Sequence, residues 1–73
     1  MIIEFKVIDL TTFTGKFNGH KLQILKQPTG DWRLFVDSIP VKGGLHASPQ
    51  SCMKQAEAAA HNILVRELIK KGN

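Results

Sequence analysis

The sequence predicts an α+β fold in the order β-β-β-α, a three-stranded antiparallel meander with a long N-terminal strand packed on one C-terminal helix. Three observations carry that reading. Asn18-Gly19 and Pro28-Thr29-Gly30 each separate two runs of alternating polarity, and Ser48-Pro49 precedes a long run with helical spacing.

At the N-terminus the odd positions Ile3, Phe5, Val7, Phe13 and Phe17 are apolar, while Glu4, Lys6, Thr12, Thr14 and Lys16 occupy even ones. A single parity over this distance predicts one long strand, or two collinear strands kinked near Asp9–Thr12. Ile2, Ile8 and Leu10 interrupt the polar set. Asn-Gly supplies the two positive φ angles of a two-residue hairpin, which pairs Phe17 with His20, Gly15 with Leu22 and Phe13 with Ile24. Phe13, Leu22 and Ile24 then share an inner face.

The loop Pro28-Thr29-Gly30 needs a left-handed residue at its end, and Gly30 meets that need without steric cost. It pairs Lys26 with Trp32, Ile24 with Leu34 and Leu22 with Val36, so the inner face continues without a break. Pro40 is expected to end this strand, and Gly43-Gly44 to mark a flexible connection. Ser48 caps a helix whose first position is Pro49 and whose stop is Gly72. Cys52, Met53, Ala56, Ala60, Ile63, Leu64 and Leu68 form its apolar face, and Lys70 and Lys71 suit the negative end of its dipole. One small domain is expected over residues 1–73, with sheet at about 2–40, loop at 41–48 and helix at about 49–71.

A chain of 73 residues forms a thin core, burying only about 60% of its unfolded surface. Its 42% hydrophobic and 22% charged content is that of a folded domain and argues against disorder. Cys52 is the only cysteine, which excludes an intrachain disulfide and a cysteine zinc site and points to a reducing, cytoplasmic setting. Glu4, Lys6 and Asp9 interrupt the N-terminal run, so neither a signal peptide nor a membrane span is expected. The net charge of +4 points to an acidic partner or to solubility.

No chemical signature of an enzyme is present. His20, His46 and His61 lack paired metal-ligand spacing, and the chain has no Gly-rich phosphate loop, nucleophile elbow or carboxylate pair. The sequence thus predicts a non-enzymatic binding module with no cofactor, no metal, no membrane contact and no small-molecule substrate. Cys52 is expected to be an inert core cysteine, because the helical register turns it toward the sheet.

Two surfaces are candidates for binding. The outer sheet face is expected to carry Lys6, Lys16, Lys21, Gln23, Leu25, Arg33 and Phe35, with Glu4 and Asp37 as its acids. Cations there would contact phosphates, and an exposed Phe35 or Leu25 would pack on sugars, bases or thymine methyls, so nucleic acid, DNA first, is the leading partner. The competing reading is a solvated face whose lysines block edge aggregation. The second surface is the back of the helix, where Ala58, Val65 and Ile69 fall within a narrow arc opposite Ala56 and Ala60. That stripe, or Trp32, would serve a protein-interaction module: an inhibitor, an adaptor or a small homodimer. For Trp32 the competing reading is the commoner use of a lone Trp in a small domain, capping the open end of the core.

The stretch Gly30 to Val36, followed by Ser48 and the alanine-rich helix Ala56–Ala60, resembles the sheet-reading DNA-binding domains of plant transcription factors and the arm-binding domains of phage-type integrases. The resemblance covers the last two-thirds of the chain and implies an accessory or regulatory DNA-binding protein of phage or mobile-element type. The chain departs from that pattern at 40–47, a poor third strand, and in its N-terminal strand, which has no counterpart. The run Met53 to Ala60 is similar to the last helix of double-stranded-RNA-binding domains, whose N-terminal helix and paired-lysine helix start are absent here.

Overall fold

Asn18 and Gly19 both hold positive φ, 49° and 79°, and the two-residue turn they form sets the centre of the sheet. The computed structural model describes residues 3–71; the expected helix stop at Gly72 and the sheet start at residue 2 lie outside them. Five strands, β1 (Lys6–Asp9), β2 (Thr12–Phe17), β3 (His20–Lys26), β4 (Trp32–Val36) and β5 (Ile39–Pro40), precede one helix, α1 (Pro49–Lys71). The strands form one antiparallel sheet in sequence order.

The β2–β3 and β3–β4 registers follow the turn chemistry. Phe17 pairs with His20 and Phe13 with Ile24, while Ile24 pairs with Leu34 and Leu22 with Val36. Gly30 has φ +90°, and its N–H donates to the Gln27 carbonyl at 2.9 Å, which closes the second hairpin with a left-handed residue.

The sheet has two strands more than expected. The chain reverses at Leu10-Thr11 where one long strand, or a kink, was predicted, and β1 folds back on β2 with Lys6 opposite Thr14 and Val7 opposite Phe13. The cause is local: the Asp9 Oδ1 accepts hydrogen bonds from the Thr11 N–H and Oγ1, both at 2.8 Å. A short carboxylate that bonds the backbone two residues on is a turn former, and it overrides the apolar parity. A bulge at Ile8 absorbs the extra residue, so Asp9 pairs with Thr12.

Nor is Pro40 the end of the third expected strand: that strand, β4, stops at Val36, and Pro40 closes a further strand instead. Asp37 and Ser38 both take positive φ, 52° and 68°, and turn the chain into β5, which pairs Ile39 with Val36 and Pro40 with Phe35. As the edge strand, β5 tolerates a proline that donates nothing to the ladder. The segment beyond it, expected to be a loop, stays beside β4: the Val41 N–H donates to the Leu34 carbonyl at 3.0 Å, and His46 and Trp32 exchange two backbone bonds at 2.8 Å.

Ile24 and Leu34 on the sheet and Cys52 and Ala56 on the helix are all fully buried and form the centre of the core. The Ser51 N–H donates to the Ser48 Oγ at 3.4 Å, at the helix start that serine and proline predict. Small Ala56 and Ala60 let the helix lie close over β3 and β4. The helix outruns the sheet: Ile63 is buried, but Leu68, expected on the apolar face, is 68% exposed. Helical periodicity continues past the point where there is a sheet to cover.

The helix leaves β2 uncovered, and residues 3–5 fill that space. Ile3 and Phe5 pack against the core, as parity suggested, but by crossing the inner face at Gly15. A Cβ at Gly15 would lie 2.8 Å from the Glu4 carbonyl oxygen. Gly15→Ala is therefore expected to cost about 1–3 kcal/mol, by lifting the crossing segment or distorting β2. Gly30→Ala meets no atom within 4 Å, so its cost of about 1–2 kcal/mol comes from left-handed backbone strain alone. Urea denaturation of the two variants checks both values, and a fully stable Gly15→Ala would contradict the close crossing.

Candidate functional site

The outer face of the sheet, opposite α1, has its side chains set by the same register. One row crosses all five strands as Lys6, Thr14, Gln23, Phe35 and Pro40. To one side lies the row Thr12, Leu25 and Arg33; to the other, Lys16 is directly opposite Lys21. At the usual strand spacing the row from Lys6 to Phe35 spans about 14 Å. All six residues expected on a nucleic-acid-binding face thus share one surface. Lys6, Lys16 and Lys21 are exposed, whereas Gln23, Arg33 and Phe35 are half-buried.

The acids expected on this face are mostly removed from it. Glu4 belongs to the segment that crosses the opposite face at Gly15. Asp37 sits in the β4–β5 turn, where its Oδ1 accepts from the Lys21 N–H at 2.9 Å and its Oδ2 lies 2.6 Å from the His20 Nδ1. The Arg33 Nε is shielded from solvent and has no hydrogen-bond partner.

Trp32 points to the inner face. Its ring meets Phe13 edge-to-face, with centroids 5.6 Å apart and planes at 69°, and it packs against the core. Ala58, Val65 and Ile69 lie on the exposed side of α1, and Leu68 adds to their apolar surface at the overhanging end. Cys52 is buried, and desolvation pushes its thiol above the ordinary value of 9.0.

Sequence reasoning missed the cluster around His20. The side chain bridges two turns and the helix, with its Nδ1 on Asp37 and its Nε2 3.5 Å from the Glu67 Oε1. Asn18 donates to the other Glu67 oxygen at 3.2 Å. The hydrogen bond that His20 donates to Asp37, helped by the charge of Asp37 and by Glu67, raises the His20 pKa above the ordinary 6.5. In turn the His20 bond, followed by the Lys21 N–H, holds the Asp37 carboxyl below 3.8. These partners are separated by 17 and 49 positions in sequence, so no local pattern could reveal them.

Among the described residues no group of three or more His, Cys, Asp or Glu side chains could hold a metal ion, and no helix is long and apolar enough to cross a membrane. Comparison of the chain with protein-family models, curated proteins and solved structures gives no match. The resemblance to sheet-reading DNA-binding domains therefore gains no support from known proteins.

The pH dependence of the cluster follows from the two shifts. Protonated His20 stabilises the fold fully below about pH 6.5, its unfolded value, and that contribution is lost as pH rises through the raised folded value. Ionised Asp37 contributes above its unfolded value of 3.8, and the contribution is lost as pH falls through the lowered folded value. Stability attributable to the pair is thus greatest between about pH 4 and 6.5. His20→Gln should flatten the loss of stability on going from mildly acidic to mildly alkaline buffer, measured by urea denaturation at each pH. An unchanged pH profile would remove the role assigned to His20.

Proposed function

We propose that this domain is a non-catalytic module that binds nucleic acid, DNA in the first instance, through the outer face of its sheet. The supporting observation is the shared surface of Lys6, Lys16, Lys21, Gln23, Arg33 and Phe35, which the helix leaves uncovered. Its two expected acids are turned to the opposite side or engaged by His20. Lysines and the arginine would neutralise phosphates along a backbone, the Gln23 amide would bond to a base edge, and the Phe35 ring would pack on sugar or base. The antiparallel sheet is the element that would enter a major groove.

The Lys16–Lys21 pair is the place to test this reading, since both side chains are exposed and neither belongs to an ion pair among the described residues. Lys16→Ala with Lys21→Ala should weaken duplex binding and lower the slope of log K against log salt by up to about two units, close to one for each phosphate no longer neutralised. The fold should be unchanged by circular dichroism. Titration of duplex DNA, duplex RNA and single strands at several salt concentrations measures the effect. Absence of wild-type binding to all three at low salt, or an unchanged double variant, refutes it.

A second reading, a protein-interaction module, is favoured by one observation. Val65, Leu68 and Ile69 are exposed by 41%, 68% and 61%, near the end of a helix that extends past its sheet. Aligned apolar side chains at that exposure suit a partner surface better than solvent.

A further inference from the structure

Between α1 and β5 the surface opens into a groove of about 600 Å³. Half-buried Val36 and Val41 and buried Ile63 form its floor, and exposed Ile39 stands along one wall. The other wall is the face of α1 from Gln55 to Arg66, about 16 Å long at the helical rise. Ala58 and Ala59 on that face leave room above the floor.

The charges around the groove are unbalanced. Asp37 is its only acid, and it is engaged by His20. Glu67 lines a smaller hollow that adjoins the groove and is also engaged by His20. Since the only ion pairs among the described residues are those two, Lys42 and Arg66 on the groove and Lys70 on the hollow carry charges without a carboxylate partner.

We propose that this groove binds an acidic amphipathic segment of a partner protein. Two or three of its aliphatic side chains would rest on Val36, Val41 and Ile63, and its carboxylates would meet Lys42 and Arg66. This deepens the protein-interaction reading and is independent of the nucleic-acid one, because the groove lies on the helix side of the sheet. Charge selects the occupant. A second copy of the chain, itself at net +4, would bring Arg66 and Lys70 of two helices together, and like charges side by side oppose that pairing. A nucleic acid would find an aliphatic floor, and the one ring on the lining, His20, is held by Asp37 and Glu67.

The test is selection of short random peptides displayed against the full chain, followed by nitrogen-15 NMR with a selected peptide. Wild type is expected to enrich peptides in which Leu, Ile or Phe alternate with Asp or Glu. Such a peptide should shift the amides of Val41, Ala59 and Ile63 and leave those of Lys6 and Gln23 unmoved. Lys42→Glu with Arg66→Glu should bind it about tenfold more weakly or worse, and should bind the same peptide with Lys replacing Asp and Glu more tightly than wild type does. The Lys16→Ala, Lys21→Ala variant should bind the acidic peptide like wild type, which separates failure here from failure of the nucleic-acid reading. The proposal is overturned by selection with no acidic-aliphatic preference, by binding indifferent to the charge reversal, or by shifts on the outer face. Groove shifts produced instead by duplex DNA, or by concentrating the chain alone, also overturn it.

Discussion

Ile24 and Leu34, side by side on the two central strands, meet Cys52 and Ala56 on the helix, and the remaining structure depends on that contact. Full burial of an aliphatic side chain stabilises by about 1.5–3 kcal/mol, a large part of what a domain this small can hold in reserve. The contact fixes α1 chiefly over β3 and β4. Two consequences follow from geometry: β2 needs another cover, which residues 3–5 provide at Gly15, and the last helical turns reach past the core, meeting the β2–β3 turn through Glu67 while Leu68 stays exposed. The close crossing and the apolar overhang are both results of one helix lying over one part of a wider sheet.

The central part of this arrangement was legible in the sequence because turn residues set strand register directly. Asn18-Gly19 and Gly30 need φ values that few residues adopt, and each placed a whole ladder correctly. The outer strands were not legible for related reasons. Asp9 makes its turn through a side-chain bond to Thr11, and an Asp-Leu-Thr-Thr run also reads as a continuing strand. Asp37-Ser38 forms a left-handed turn without a glycine, and a proline then follows at a position where strands usually stop. The six outer-face residues could be grouped in advance, since register alone decides facing. The His20 cluster could not, because it depends on how the end of the helix meets two turns.

That cluster also explains why the two candidate surfaces differ in character. His20 engages both Asp37 and Glu67, the acids at the groove and at the hollow beside it. The Asp37 carboxylate accepts from the Lys21 N–H as well, which ties the β4–β5 turn to the start of β3 beside Lys16 and Lys21. The ion pairs are solvent-accessible, and His20 retains 34% of its side-chain exposure. Screening therefore limits their direct contribution to stability, and their larger effect is on where the unpaired charge lies.

Between the two surfaces stand the central strands, whose alternation sends Gln23, Arg33 and Phe35 outward and Leu22, Ile24 and Leu34 inward. Substitutions on the outer face leave the apolar layer untouched, and charge changes at Lys42 or Arg66 lie at the rim of the groove and outside its floor. The two surfaces are thus separable by mutation despite the small size of the domain. His20 is the exception: it borders the groove through the helix side and reaches Lys21 through Asp37. A change of charge on His20 alters the field at both surfaces at once, so a ligand on either one that favours the protonated form will in turn raise the His20 pKa.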